Sequence, residues 1–214
     1  MKVNFTIPTS LSEITLDQYK KYLKETKDVT STPKIQEKVL SIFCGIELKD
    51  TFKMKAVDVE SICDIILSMF DSRFELINRF TLDGIEFGFV PNLDEMSFGA
   101  YVDTDKFIGD IDNIHLAVAA LYRPVLHKSK ELYSVEEYEP NKYDMSMTPL
   151  SVVLGMQVFF YNLGKDLSKV MIDYLQEGDL TLQEREALQK NGVGFNQFTH
   201  SLREILQGLK ISLN

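Results

Sequence analysis

The sequence predicts an α+β protein that is predominantly α-helical and contains a small antiparallel β-hairpin element. Apolar residues recur at helical spacing over most of the chain. One stretch, residues 79–90, instead alternates apolar and polar residues on both sides of an Asp-Gly pair, which is a strong short-range hairpin signal. With 214 residues, of which 44% are hydrophobic, we expect a single domain, 1–214, with its own core.

We divide this domain into a helical N-terminal part (1–72), a hairpin-containing centre (73–147) and a helical C-terminal part (148–214). The N-terminal part begins with an alternating segment, residues 3–8, that predicts a short strand. Thr15 and Gln18 have the spacing of a capping box and predict the start of the first helix.

Two more helices are expected in the N-terminal part. The first of these ends at Gly45, because glycine readily adopts the left-handed conformation of a helix C-terminus. The second has Asp58 as candidate N-cap and a buried stripe containing Ile62, Ile65 and Ile66.

In the centre, Asp83-Gly84 predicts a type I′ turn, and Gly88 predicts a bulge or a close backbone approach. Two helices should follow, with a break near Gly109 and an end at Pro124. Residues 125–147 are interpreted as an extended excursion with one strand around 132–138.

The C-terminal part should begin with Thr148 as N-cap and Pro149 at the first helical position. A long helix is expected to about Leu175, with Gly164 as the candidate point of interruption. Two further helices are predicted, one capped by Thr181 and Glu184 and a final amphipathic one over 195–211. The predicted core includes Phe43, Ile66, Phe80, Phe87, Phe89, Leu121, Val153 and Phe160.

Composition limits the function classes. The formal net charge of −9 argues against nucleic-acid binding, which depends on Lys and Arg replacing counterions. Both cysteines, Cys44 and Cys63, are expected to be buried and inert, as in a reducing cytosol. No signal peptide is recognised, and the longest apolar run is interrupted by Gln157, so no membrane span is expected.

Catalytic chemistry finds little support in the sequence. His115, His127 and His200 lack metal-binding spacing, and no nucleotide-binding or hydrolase motif occurs. Two Asp-x-Asp units could offer oxygen ligands to a hard cation, although helix capping and solvation explain them better. We therefore expect no enzyme, cofactor or metal, with a cation-dependent enzyme as the weakest alternative. The acids in question are Asp103, Asp105, Asp110 and Asp112.

Several segments together resemble a family of small structural proteins of tailed phages that infect Bacteroidetes, including the crAss-like phages. They are "RFTLDGIEFGFVPNLDEMSFGAYVDTDKF", "NIHLAVAALYRPV", "EEY" and "MTPLSVVLGMQVFFYNLGKDL", and they cover roughly residues 73–165. The shared features are the hairpin, F-x-P-N-L-D, G-x-Y-x-D, the helix end ALYRP and P-L-x-V-x-L-G.

The resemblance implies a virion structural protein, made in the host cytoplasm, that forms a homo-oligomeric ring of the neck or tail barrel next to the portal. It would contact other neck and tail proteins without catalysis, without sequence-specific nucleic-acid binding and without a membrane. The alternative is a non-virion tail-assembly chaperone or scaffolding factor. A ring subunit meets its neighbours through heterologous contacts, for which the hairpin is a convenient element. The interface candidates are Phe80, Asp83, Gly84, Phe87, Phe89, Pro91 and Asn92.

Overall fold

A computed structural model of the chain describes residues 5–130 and 132–176. Within these residues it contains seven α-helices and one four-stranded antiparallel sheet, which confirms the predicted α+β, mostly helical class. A single hydrophobic cluster extends from Leu11 to Met156 and draws on all three parts of the chain. Six of the eight predicted core residues are buried, whereas Phe80 and Phe160 are half-buried.

The N-terminal part consists of helices joined by short connections. Short 3-10 turns precede the first helix and follow the fourth, at Leu11–Glu13 and Met69–Asp71. The α-helices are α1 (Leu16–Thr26), α2 (Thr32–Phe43), α3 (Leu48–Thr51) and α4 (Ala56–Ser68).

The start of α1 is the capping box that the sequence predicts. The Thr15 side chain accepts a hydrogen bond from the Gln18 backbone, and the Gln18 side chain accepts one from the Thr15 backbone. Gln18 also donates from Nε2 to the carbonyl of Ile42 at 2.9 Å, which joins α1 to the end of α2. Gly45, with φ of 66°, follows α2 as predicted.

Three N-terminal predictions are wrong. Residues 5–8 are not a strand, because all four strands of the sheet come from residues 79–135 and none lies beside them. Asp58 lies in the first turn of α4, whose N-cap is Lys55; an acidic residue is favourable at either position, so its type does not fix the boundary. Ile65 is 47% exposed, and Cys63 takes the inward position beside Ile62 and Ile66.

The centre contains the whole sheet and two helices. The strands are β1 (Arg79–Leu82), β2 (Ile85–Phe89), β3 (Tyr122–Ser129) and β4 (Leu132–Val135), in the order β1-β2-β3-β4. Between β2 and β3 lie α5 (Phe98–Phe107) and α6 (Ile114–Leu121), with the predicted break between them. Asn113 holds the N-cap position of α6, although its side chain makes no capping hydrogen bond.

The Asp-Gly hairpin is confirmed. Asp83 and Gly84 have φ of 49° and 80°, so both central residues are in the left-handed region that a type I′ turn requires. Leu82 pairs with Ile85 and Phe80 with Phe87, so the apolar residues of both strands share the face toward the core.

β3 is the main element that the sequence did not predict. The chain passes directly from α6 into this strand at Tyr122, so Pro124 lies inside β3, opposite Phe87, and does not mark the helix end. Residues 125–129 are therefore a strand and not an irregular excursion. A register shift between Val125 and His127 interrupts the alternation by which a strand is recognised. The predicted strand around 132–138 corresponds to β4.

The C-terminal part contains α7 (Leu150–Gln176), which continues without interruption through Gly164. Its first turns are buried on all sides, as the all-round apolar sequence predicts. The helices predicted from Thr181 onward, with Glu184 and the stripe over 195–211, lie outside the described residues. The buried positions at the start of α7 are Leu150, Val152, Val153, Leu154, Met156 and Gln157.

The predicted cap of α7 is wrong by one residue. The helix begins at Leu150, and the Thr148 hydroxyl is buried without a partner among the described residues. The reason is a tertiary contact: Thr15 and Pro149 form an antiparallel bridge. The backbone N–H of Leu150 donates to Ile14 at 2.8 Å, and that of Leu16 donates to Thr148 at 2.9 Å. This pairing fixes the backbone that directly precedes α1 and α7.

Gly155 lets another part of the backbone approach α7. A Cβ atom built at Gly155 would lie 2.2 Å from the carbonyl oxygen of Glu75 and 3.6 Å from the Cα of Leu76. These are backbone atoms of the segment before β1, so no side-chain rotation can relieve the clash. A glycine is therefore required where this segment crosses the helix.

We predict that Gly155→Ala lowers the free energy of unfolding by about 2 kcal/mol, because the connection or the helix must shift to admit the methyl group. Urea unfolding followed by circular dichroism measures this change. The matched control is Gly99→Ala in α5, where the added Cβ meets nothing nearer than the Tyr138 ring at 3.9 Å. The control should be neutral or slightly stabilising, since alanine is the better helix former. Equal losses in the two variants would contradict the close-approach explanation.

Candidate protein–protein interface

The aromatic residues proposed as interface candidates lie mainly inside the protein. Phe87 and Phe89 are 2% and 6% exposed. Phe80 is half-buried, stacks on Phe87 at 5.7 Å between ring centroids and meets the edge of Tyr122 at 5.3 Å. These three rings stabilise the chain's own core and are not available as a docking surface.

The other four interface candidates are exposed. Each of them is either polar or has a role in the backbone conformation. Asp83 and Gly84 form the tight turn, and Pro91 follows the end of β2. The Asn92 side chain accepts a hydrogen bond from the Asp94 backbone at 3.1 Å and starts a 3-10 turn. The two pairs lie at opposite ends of β2 and do not form one surface.

The outer face of the sheet is held by Tyr133 of β4. Its hydroxyl donates to the carbonyl of Phe89 at 2.7 Å, and its ring covers Gly88, where an added Cβ would meet ring carbon Cε2 at 2.5 Å. The close neighbour of Gly88 is thus a side chain, not the bulge or the backbone approach that the sequence predicts. The Arg79 guanidinium lies 5.6 Å from the Tyr133 ring centroid, and Glu86 pairs with Arg79 at 3.5 Å and Lys128 at 3.0 Å. The outer face of the sheet is therefore covered by contacts between side chains of the sheet itself.

An exposed apolar surface is instead found on α5. Phe98, Tyr101 and Val102 are 80%, 58% and 40% exposed, and their spacing places them on one side of the helix. We call these three residues the α5 face. Ala100, on another side of α5, is fully buried.

The α5 face is held in a fixed position. Ser97 caps the helix by accepting from the Ala100 backbone at 3.3 Å. The Tyr138 hydroxyl donates to the Asp103 carboxylate, and the Tyr138 ring lies beside Gly99. Burial, with a smaller contribution from Asp103, raises the pKa of Tyr138 above its usual range, so this donor stays protonated. The chain that follows β4 therefore anchors α5.

The four acids of the two Asp-x-Asp units are not brought together as ligands. Asp103 binds Tyr138, whereas Asp110 accepts from the Asp112 backbone at 3.1 Å and from Asn113 Nδ2 at 2.7 Å. In the part of the chain that the structure describes, no group of three His, Cys, Asp or Glu side chains is placed to hold a metal ion.

The two histidines in the described residues lie apart. His115 is half-buried on α6, and burial lowers its pKa, with Lys20 nearby adding to the effect. His127 is exposed on β3, with Nδ1 3.4 Å from the Ser134 hydroxyl. His200 lies outside the described residues.

A second exposed apolar surface is the end of the β3–β4 hairpin. Leu126 and Leu132 are 57% and 79% exposed, and Lys128 and Lys130 lie between them. We call residues 126–130 together with Leu132 the hairpin tip; Glu131 lies outside the described residues. Its strands pair through Ser129 and Leu132, and Lys130 has a φ of 56° in the connecting turn.

A groove lies between α1, α2 and α4. It has a volume of about 680 Å³ and is lined mainly by apolar side chains, among them Tyr19, Ile35, Leu67 and Phe70. The Cys63 thiol also lines this groove, while Cys44 is buried nearby in the core. Both cysteines are unpaired and buried, as the sequence predicts.

These surfaces were missed because no local pattern separates an exposed apolar residue from a buried one. Apolar residues occur on several sides of α5, and only the packing of α6 against α5 decides which side is covered. The signal available in the sequence was Phe98, Tyr101 and Val102 at helical spacing, on a helix with more apolar positions than one face can bury.

Comparisons with profiles of known protein families, with curated proteins and with solved structures found no match. None of the helices in residues 5–130 and 132–176 combines the length and apolarity needed to cross a membrane.

The buried thiols give a pH-dependent prediction. Burial raises the pKa of both Cys44 and Cys63 from 9.0 to about 11. The unfolded chain loses these protons first, so the thiols stabilise the fold below pH 9 and that contribution is lost as the pH rises toward 11. Across this window, the loss is at most about 3 kcal/mol per thiol. Urea midpoints measured over the window should fall.

The control for this prediction is the Cys44→Ala/Cys63→Ala variant, compared with the wild type at each pH. Its stability should be lower at neutral pH because two buried side chains are shortened, but its decline between pH 9 and 11 should be shallower. An identical slope in the two proteins would show that the thiols do not cause the alkaline loss.

Proposed function

We propose that this chain is a structural protein of a tailed-phage particle and forms a homo-oligomeric ring of the neck or tail barrel next to the portal. It acts through contacts with copies of itself and with other neck and tail proteins, and it carries out no catalysis. The proposal is supported by the resemblance over residues 73–165 and by the arrangement of exposed apolar residues on the fold.

The observation that carries the proposal is the α5 face. Single exposed apolar residues are common on soluble proteins, but Phe98, Tyr101 and Val102 form one contiguous group on a helix held in place by Tyr138. Aromatic side chains of this kind are enriched where proteins bind each other. Tyr101 and Val102 of the α5 face lie in the G-x-Y-x-D segment of the resemblance, and Phe98 directly precedes it.

A ring requires more than one surface on each subunit. In a closed ring, one patch of a subunit contacts a different patch of the next, so at least two separate surfaces are needed. The chain has the α5 face, the hairpin tip and a third exposed apolar pair on α3 and its end, where Leu48 and Phe52 are 46% and 80% exposed. Three such surfaces on different elements suit a subunit with neighbours beside it and along the tail axis.

The first test is the composition of purified particles of the phage that encodes the chain. The ring proposal predicts that mass spectrometry detects the chain in complete particles at a copy number comparable with other ring proteins. Absence from particles, combined with loss of tails when the gene is deleted, would contradict the ring proposal and favour the assembly chaperone.

A second prediction concerns the α5 face directly. Phe98→Asp should weaken self-association of the purified chain by about tenfold or more, because a charge replaces a central aromatic anchor. Sedimentation velocity over a concentration series measures the effect. Since Phe98 is 80% exposed, the free energy of unfolding should change by less than about 0.5 kcal/mol.

The matched control is Val57→Asp, which places the same charge at a 72% exposed apolar residue of α4 that belongs to none of the three surfaces. If only Phe98→Asp dissociates the oligomer, the α5 face is a subunit contact. If Phe98→Asp leaves the association constant unchanged, the α5 face is not part of the ring interface.

A further inference from the structure

A histidine lies where the start of α6 meets α1. His115 is the second residue of α6, which runs from Ile114 to Leu121. The Lys20 ammonium of α1 donates a hydrogen bond to the backbone carbonyl of Asp112, three residues before His115. The first turn of α6 therefore has a positively charged group of α1 beside it.

The His115 imidazole is only partly accessible to water. The residue is half-buried, and its Nδ1 atom is buried without a hydrogen-bond partner among the described residues. A protonated imidazole carries an N–H on both nitrogens, so protonation would place a charged donor at Nδ1 with nothing to accept from it. Burying an unsatisfied charged group costs more than burying a neutral one, so this position favours the neutral imidazole.

Two positive features oppose protonation of His115 as well. The first turn of a helix carries the positive end of the helix dipole, where a cationic side chain is unfavourable. Lys20 adds a full positive charge close to the same turn. Burial lowers the pKa of His115 below its ordinary value of 6.5, and Lys20 lowers it further. The placement on α6, the buried nitrogen and the lysine thus act in the same direction.

Acidic groups offer a protonated imidazole a second position. Asp144, in the segment between β4 and α7, and Asp110, before α6, favour the protonated form, though less than burial and Lys20 oppose it. Asp144 is exposed and Asp110 is half-buried, so both carboxylates are in contact with water. A charged imidazole is better placed near these carboxylates than in the buried position of the neutral one.

The segment that carries Asp144 also holds the start of α1. The backbone N–H of Asp17 donates to the carbonyl of Ser146 at 2.9 Å. The Asp144 carboxylate accepts from the Ser146 backbone at 2.9 Å. A movement of His115 toward Asp144 would therefore act on contacts of α1, α6 and this segment together.

We propose that His115 is an acid-sensitive switch at the junction of α1 and α6. The junction is closed when the imidazole is neutral. In mild acid the imidazole takes up a proton and leaves its buried position for the side of Asp144 and Asp110, and the contact between Lys20 and the start of α6 loosens. The switch is a property of the single chain and does not depend on the proposed role in a phage particle.

The direction of the pH dependence follows from proton binding. The closed junction binds the His115 proton less tightly than an open one, so this residue stabilises the closed state above about pH 6.5, and the contribution is lost as the pH falls through the lower folded pKa. Uptake of one proton on opening raises the opening equilibrium constant by at most about tenfold per pH unit. Ordinary Asp and Glu side chains titrate near pH 4, below this window.

Hydrogen exchange of the full-length chain, followed by mass spectrometry and corrected for the intrinsic exchange rate, measures the opening. Between about pH 6.5 and about pH 5.5, peptides from α1 and the start of α6 should open several-fold more often in the wild type. His115→Gln should remove most of this increase, because glutamine is polar but does not titrate. The matched control is His127→Gln/His200→Gln, which leaves His115 as the only histidine and should behave like the wild type.

A nuclear magnetic resonance titration tests the surroundings of the imidazole directly. In the His127→Gln/His200→Gln chain, the single imidazole signal should titrate with a midpoint below 6.5. Adding Lys20→Met should raise this midpoint, because methionine removes the nearby charge and keeps most of the aliphatic stem.

Three results would overturn the proposal. A midpoint at or above 6.5 would mean that protonation does not disfavour the closed junction. An equal rise of exchange in His115→Gln and in the wild type would show that another group causes the opening. A midpoint that Lys20→Met leaves unchanged would show that Lys20 does not act on His115, so that the switch does not lie between α1 and α6.

Discussion

The rest of the structure depends on the burial of the first turns of α7 on all sides. Three separate parts of the chain meet this helix. Backbone hydrogen bonds join its start to Ile14 and Leu16, the Glu75 carbonyl crosses it at Gly155, and Gln157 donates to Ile108 at the end of α5 at 3.4 Å. The Phe89 ring of β2 packs edge-on against Phe159 at 5.6 Å. Because these contacts share one helix, the helical N-terminal part, the sheet and the α5–α6 pair form one core.

This arrangement leaves apolar groups exposed on separate elements, which agrees with the role proposed above. The aromatic residues of the first hairpin pack inside the chain, where Phe89 meets α7, and the outer sheet face carries Tyr133 and the ion pairs of Glu86. Exposed apolar groups include those on α3, on α5 and at the hairpin tip. A rigid core with separate apolar surfaces supports binding to several neighbours, which is what the proposed ring requires.

The aromatic interface candidates were misplaced because a cluster of aromatic residues can belong to a core or to an interface. Segments rich in Phe and Tyr are expected in cores as well as at interfaces. The alternation of a strand places Phe80, Phe87 and Phe89 on one face, but it does not indicate what covers that face. In the structure Tyr122 of β3, Tyr143 and Phe159 of α7 pack against these rings. The groove between α1, α2 and α4 is lined by residues from separate helices, so only their three-dimensional grouping reveals it.

The sequence by itself determined the features that depend on neighbours within a few residues. These include the Thr15–Gln18 capping box, the Asp83-Gly84 turn, the helix end at Gly45 and the existence of α5, α6 and α7. Only the tertiary structure decided the features that depend on distant partners. β3 exists because β2 and β4 pair with it despite its bulge, and α7 starts at Leu150 because Pro149 pairs with Thr15. The α5 face is exposed because α6 covers another side of that helix, and no local sequence pattern contains that information.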